Sequence, residues 1–292
     1  MVGLGAMGGQ IAGRLLGSGH QVHGTNRTMS KGLGLVERGM HWHATPRVVA
    51  SAADIVVSMV SDDAALEAVT TGPDGILAGL GPGKLYLDMS TVSPETSVRL
   101  AGQVRSLGAR MLDAPVSGSV HQAETGTLTI MVGGEEGAFG RAAPLLHTLG
   151  HTVIHVGENG HGLLLKLAIN ISLAVQTLAF SEGLLLAERG GIDPRLAAQV
   201  MSASQIGSPM LRMRVPLLLD LPEHAWFDVR LMHKDIRLAL DAAHARDVPV
   251  PSATTANDML AAARALGYGA RDIAALHHTL ARLSATGALA KG

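Results

Sequence analysis

The 292-residue chain contains no cysteine. Disulfide staples, thiolate-bound zinc and cysteine nucleophiles are therefore excluded, and a reducing compartment suits the composition. Aromatic residues are scarce: two Trp, two Tyr and three Phe, too few to build a base-stacking platform for single-stranded nucleic acid. Charge of either sign is not in excess. Twenty-three Lys and Arg stand against 24 Asp and Glu, a formal net charge of −1. Neither nucleic acid nor an anionic membrane has an electrostatic reason to bind. Only 16% of residues are charged and 47% are apolar, which is too apolar for disorder. The length allows one large domain or two modest ones with a sizeable core. No basic segment opens the sequence, so no signal peptide is read. The longest apolar stretch, 163–187, carries Lys166, Asn170, Gln176 and Glu182. Each is costly in lipid, so a buried helix is expected and not a membrane span. The expectation is a soluble, cytoplasmic protein.

Glycine, by contrast, is abundant at 36 residues, as tight turns and close backbone approaches require. The first half alternates short apolar runs with helix-length segments. Helix Ala6–Gly17 precedes a strand at 21–25, and Thr28 is placed to cap a second helix ending near Gly39. Strands follow at 54–60, 85–88, 109–113, 128–132 and 152–156. Ser93-Pro94-Glu95 starts a helix that Gly108 closes. This rhythm predicts a parallel, doubly wound sheet. Beyond Gly162 no convincing strand remains. A long helix to Arg189 and further helices to about Leu283 are expected, with an unstructured tail after Ser284. The division is therefore an α/β domain, 1–160, and an all-helical domain, 161–292. A first strand should precede Gly3, yet only Met1 and Val2 do; a late start or a badly shortened central strand is expected.

Gly3-Leu4-Gly5-Ala6-Met7-Gly8 is a GxGxxG at a strand-to-helix junction. Such glycines allow a tight turn and close approach of a pyrophosphate to a helix N-terminus. Alone the motif is weak; the second strand ending about 20 residues later supplies its context. At that strand end stands Asn26-Arg27-Thr28. An acidic residue there would grip the ribose of NAD, whereas arginine suits the 2′-phosphate of NADP. A solvated loop arginine is the bland alternative. Met59-Val60 and Ser90-Thr91 close two other strands, where ligands bind in open α/β sheets. Ser90 and Thr91 read equally well as turn and capping residues. Ser117-Gly118-Ser119 follows the strand at 109–113 and offers hydroxyl and amide donors for a carboxylate, or a plain turn. The segment Gly157 to Asn170 is the most informative. It puts Lys166 and Asn170 one turn apart on an apolar helix, where a lysine must find a partner or shift its pKa. His41-Trp42-His43 and His277-His278 lack a carboxylate in any zinc-protease frame, so no metal site is predicted.

Taken together, these motifs resemble the β-hydroxyacid dehydrogenase family, typified by 3-hydroxyisobutyrate dehydrogenase and glyoxylate/succinic semialdehyde reductases. The resemblance runs through Gly3–Gly8, Asp113–Gly118, Gly126–Gly133, Gly157–Asn170 and Lys234-Asp235. It implies a Rossmann-like N-terminal domain and a helical C-terminal domain joined by a long helix, usually in homodimers or homotetramers. It implies NADP as cofactor, with NAD possible but weaker, and a small carboxylate substrate. Lys166 would be the catalytic acid/base and Asn170 would orient substrate. Ser117, Gly118 and Ser119 would hold its carboxylate. Gly3, Gly5, Ala6, Met7, Gly8, Asn26, Arg27, Thr28, Met59, Val60, Ser90, Thr91 and Lys234 would serve the cofactor. Ser119 and Gln122 stand where the family carries glycine, and Ile171 replaces the second member of an Asn-Asn pair. The implied reaction is hydride transfer between NADP and a small β- or γ-hydroxy acid or semialdehyde acid. Two rival readings remain: an imine reductase, in which Asp or Tyr usually replaces the lysine, and a non-catalytic NADP-binding adaptor.

Overall fold

The computed structural model describes residues 1–286. The expected unstructured tail lies outside the described residues from 287 on, and before that the last helix, Ala275–Thr286, is continuous. The chain divides into two compact units, Met1–Lys166 and a second that begins at Leu167.

The first unit is built on a six-stranded sheet. Its strands β3 (Ile55–Ser58), β4 (Leu85–Asp88) and β5 (Arg110–Asp113) run parallel; β1 (His23–Gly24) and β2 (His41–Trp42) form a separate parallel pair. Beyond β5 lie β6 (Val116–Ser117), β7 (Leu128–Gly133) and β8 (Gly150–Gly157). Here the parallel expectation needs correction. β7 runs antiparallel to β5 and β6, and only β8 returns parallel to β7. The chain between β5 and β7 turns back through β6 and the short helix Val120–Thr125 instead of making a full crossover. At the position of the first strand, Val2 makes single bridges to Thr25 and Ser58, which connect the pair β1–β2 to the main sheet.

Alternation along the strands divides the core between two faces. Leu85, Leu87 and Leu112 pack with Ile11, Leu15 and Leu146. Tyr86 and Met111 pack on the other side with Val49, Leu66 and Val104. Helices thus cover both faces, as buried parallel strands demand. The helix starts follow their capping signals. Ser93 accepts from the Thr96 N–H at 3.0 Å. Thr28 departs from expectation: its side chain makes no cap, and a 3-10 turn, Met29–Gly32, precedes the short helix Leu33–Glu37.

Among the described residues of the second unit there is no strand. Asp193, Ser208 and Asp228 cap successive helices through the N–H groups of Leu196, Leu211 and Leu231. Asp272, fully buried, accepts from Arg214 at 2.9 Å and from the Trp226 and Phe227 amides. This carboxylate ties the loop before helix Val229–His244 to the segment leading into the last helix. Leu163–Arg189 was expected as one long helix, and the observed helix is His161–Arg189.

That helix begins on a buried carboxylate of the sheet. Asp113, last residue of β5, accepts from the Gly160 N–H at 2.7 Å and the Leu163 N–H at 3.1 Å. Both are amides that the helix start cannot satisfy internally. Asp113→Ala would leave them orphaned at about 1–3 kcal/mol each. We expect a loss of roughly 2–5 kcal/mol in chemical denaturation, with unfolding still cooperative. A change below 0.5 kcal/mol would mean that the cap does not hold the helix.

Candidate active site

The glycine loop is shaped by the protein at two of its positions and by something else at the third. Gly3 has φ +91°, and a Cβ there would collide with the Met59 carbonyl oxygen. A Cβ on Gly8 would collide with the Gly3 carbonyl oxygen. Around Gly5 there is open space within 4 Å, so no packing explains that glycine. No side chain caps helix Ala6–Gly17, and its first turn has no acidic residue. An uncapped helix N-terminus behind an open glycine fits a dinucleotide pyrophosphate.

Asn26 stitches this loop to the end of β1. Its Oδ1 accepts from the Leu4 N–H at 3.0 Å and its Nδ2 donates to the Thr28 carbonyl at 2.9 Å. Asn26 thus shapes the crevice through backbone contacts. Arg27 beside it is exposed, and among the described residues it has no hydrogen bond or ion pair. Met59 backs Gly3 directly, and the Val60 N–H donates to the Ser90 hydroxyl at 2.9 Å. Ser90 is fully buried, so its hydroxyl is engaged inside the protein while Thr91 beside it is only half-buried.

The carboxylate loop also differs from expectation. Ser117 is half-buried and Gly118 is exposed with φ +147°. Ser119, expected as a third donor, spends both its N–H (2.6 Å) and its hydroxyl (2.5 Å) on the Gln122 side chain. That leaves Ser117 and the Gly118 amide as the candidate donors of this loop.

Asp113 organises the segment leading to Lys166. A Cβ at Gly162 would lie 2.8 Å from its Oδ2 and 2.6 Å from the Met131 carbonyl. Gly162 therefore lets the backbone pass the carboxylate. Burial pushes the Asp113 carboxyl pKa upward, opposed by the Gly160 and Leu163 amides. Lys166 follows one turn later, half-buried between the buried Leu163 and Leu167.

Within the second unit, Asn170 is buried and donates from Nδ2 to Asp235 Oδ2 at 2.6 Å. Its Oδ1 is buried with no hydrogen-bond partner among the described residues. Asp235 also pairs with Lys234 at 2.8 Å. Asp88, Asp113 and Asp235 are polar groups that sequence reasoning left out of the site. The signal was present in the Lys234-Asp235 pair and in aspartates closing apolar strands. His23, His41 and His43 stack ring on ring at 5.1 and 5.0 Å. Among the described residues no three His, Asp or Glu side chains gather as a metal site.

Comparison with known proteins agrees with this reading of the crevice. Residues 1–157 match the NAD-binding domain of 6-phosphogluconate dehydrogenase, and residues 160–280 match the NAD-binding domain of NADP-dependent 3-hydroxyisobutyrate dehydrogenase. The chain uses NADP, with NAD as a possible second cofactor. Gly5→Ala should therefore leave thermal stability unchanged but raise the cofactor Kd at least tenfold, whereas Gly8→Ala should lower Tm by several degrees. Equal Tm losses for both variants would contradict an open position at Gly5.

Full-length relatives carry the same conclusion. The 2-hydroxy-3-oxopropionate reductase of Escherichia coli is 36% identical, over 96% of this chain and 95% of that protein. The 3-hydroxyisobutyrate dehydrogenase of Pseudomonas aeruginosa is 35% identical, over 88% and 89%. The solved 3-hydroxyisobutyrate dehydrogenase of Mycobacterium tuberculosis, with L-serine, has a TM-score of 0.84 at 30% identity, covering 96% and 97%. Solved imine reductases at 22% identity and a TM-score of 0.63 share the fold alone. With both halves matched and relatives above 30% identity along nearly its whole length, the chain belongs to the β-hydroxyacid dehydrogenase family and is an NADP-dependent oxidoreductase of small hydroxy acids.

Proposed function

We propose that Lys166 is the acid/base of a hydride transfer between NADP and a small, non-phosphorylated β- or γ-hydroxy acid or its semialdehyde. The observation that supports this most is the pair Lys166 and Asn170, one turn apart on the helix whose start Asp113 holds. Asn170 is tethered through its amide nitrogen while its buried oxygen has no partner among the described residues. An acceptor in that state suits a substrate hydroxyl. The bound dinucleotide supplies the hydride. In the reducing direction negative charge develops on the carbonyl oxygen, and Lys166 stabilises and then protonates it. In the oxidising direction it withdraws the hydroxyl proton.

Ser117 and the Gly118 amide hold the substrate carboxylate. No arginine lies in the loop 114–119, so hydroxyl and backbone donors do this work. Arg27 grips the 2′-phosphate, and Lys234 stands at the nicotinamide end. Residues 1–160 act as the NADP-binding domain and 161–292 as the substrate and assembly domain. The enzyme works in the cytoplasm as a homodimer or homotetramer. The exposed apolar residues Leu186, Ile192, Leu196, Val200 and Ile206 of the second unit support an assembly that covers them.

Two measurements test the reading. Lys166→Ala should lower kcat about 10²–10⁴-fold while NADPH still binds, and Lys166→Arg should not restore it, because a guanidinium does not release its proton. Near-full activity of the arginine variant with an unchanged pH profile would refute proton transfer. Arg27→Ala should raise the KM for NADPH roughly 10- to 100-fold, the worth of a charge-assisted bond, and leave NADH nearly unchanged. Equal losses with both cofactors would remove the 2′-phosphate role.

A further inference from the structure

The carboxyl ends of β3 and β4 hold a polar network that the reaction above does not use. Asp88 is fully buried. Its Oδ1 accepts from the Ser58 hydroxyl at 2.6 Å, the Ser90 hydroxyl at 2.7 Å and the Ser90 N–H at 3.3 Å. The Ser90 oxygen accepts in turn from the Val60 N–H at 2.9 Å. Ser58 lies 2.7 Å from the Tyr86 hydroxyl. The neighbouring backbone belongs to the same assembly. Met59 N–H donates to the Val2 carbonyl at 3.0 Å, and Met89 N–H donates to the Ser58 carbonyl at 2.9 Å. Since the Met59 carbonyl abuts Gly3, one carboxyl group fixes two strand-end turns against the glycine loop.

We propose that Asp88 is a positioning residue of the cofactor crevice: through Ser90 and the Val60 amide it holds the 58–60 and 88–91 turns in the arrangement that binds the dinucleotide. The inference rests on the NADP reading of that crevice. Its physical basis is the one-sided use of the carboxyl group. All three donors converge on Oδ1, whereas Oδ2 is buried without a partner among the described residues. An ionised carboxylate accepts all three. A protonated one must place a hydrogen on Oδ2, where nothing receives it, or on Oδ1, where it displaces a donor. Either placement loosens the hold on Ser90.

Protonation is within experimental reach. Burial pushes the Asp88 pKa up to about 6 against the donation from Ser58 and Ser90. The groups facing it are Tyr86 on its own strand, Ser58 on β3, Ser90 in the turn and Asp113 on β5, whose charge adds to the upward push. Cofactor affinity should therefore weaken as pH falls through about 6.

The test uses NADH, which lacks the 2′-phosphate that itself titrates near pH 6. Its Kd is followed by nucleotide fluorescence, and its KM by turnover, between pH 5 and 8. Wild-type protein should bind NADH roughly tenfold more weakly at pH 5 than at pH 7.5, about 1.4 kcal/mol, with a smaller change in kcat at saturation. Asp88→Asn should bind weakly at every pH with a flat profile. Ser90→Ala, which leaves the carboxyl group in place, should also raise Kd, and it carries the test should Asp88→Asn not fold. A merely structural residue would lower Tm without moving the pH profile of binding. A flat wild-type profile, or wild-type NADH affinity in both variants, would overturn the proposal. Because Kd needs no turnover, a failure of the hydroxy-acid reading would show separately, as absent activity with the Asp88 profile intact.

Discussion

One buried carboxylate decides where the long helix starts. Asp113 ends β5 and receives two amides, Gly160 and Leu163, from the first turn of a 29-residue helix. The helix macrodipole favours a negative charge at that end, and the orphan amides need an acceptor. Everything near it has adapted to this contact. A Cβ on Gly133 would lie 2.8 Å from both Asp113 carboxylate oxygens, and one on Gly162 would meet Oδ2 at the same distance. Asn159 donates to the Met111 carbonyl at 3.0 Å and keeps the approach to the helix against β5. Lys166 is three residues beyond the second capped amide, so the sheet edge sets its position through a single rigid turn.

Strand register places a second aspartate beside the first. Ser58, Asp88 and Asp113 are aligned partners across β3, β4 and β5. They form a polar row at the carboxyl edge, where open α/β sheets bind ligands. The two aspartates differ in their donors. Asp113 takes backbone amides and fixes a helix; Asp88 takes hydroxyls and fixes turns. Burial raises the pKa of both. A folded carboxyl pKa above its unfolded value means that the folded state binds the proton more tightly. Stability from such a group is present at low pH and declines as pH rises through the folded value. Near neutrality, holding each carboxyl group ionised therefore offsets part of what its hydrogen bonds contribute. Their place in the row is explained by what they hold: a helix start for Asp113 and two strand-end turns for Asp88.

Much of this was legible in the sequence because periodicity and capping are local signals. Helix Ala6–Gly17 and strand Leu85–Asp88 have the predicted bounds, since a glycine loop and a fully buried apolar run announce themselves. Ser93 caps the helix where Pro94 at its first position predicts the start. The antiparallel turn of β7 was not legible. It depends on pairing between residues 12 to 20 apart, and a buried strand reads the same in either direction. The candidate site residues Lys166, Asn170 and the loop glycines stand out by spacing. The aspartates that orient them do not, because their partners are backbone amides and serines brought together only by register.

The departures from the family pattern at positions 119 and 122 are coupled in space. Gln122 Oε1 accepts both donors of Ser119, and the same glutamine lies against Gly118, where a Cβ would approach its Cβ at 3.2 Å. A glycine at 122 would remove this closure, and one at 119 would remove its hydroxyl half while keeping the backbone N–H. With both changed, the N-terminus of helix Val120–Thr125 is capped from within, and two donors that could face a carboxylate are withdrawn. Each such bond is worth about 1 kcal/mol net, so the closed loop is the favoured one. The donors this loop could offer the proposed carboxylate are thereby narrowed to Ser117 and the Gly118 amide. Two donors suit a single carboxylate on a short acid better than a second charged group. The pair at 119 and 122 thus bears on which acid the proposed site accepts, while Lys166, its proposed acid/base, keeps the residue of the family pattern.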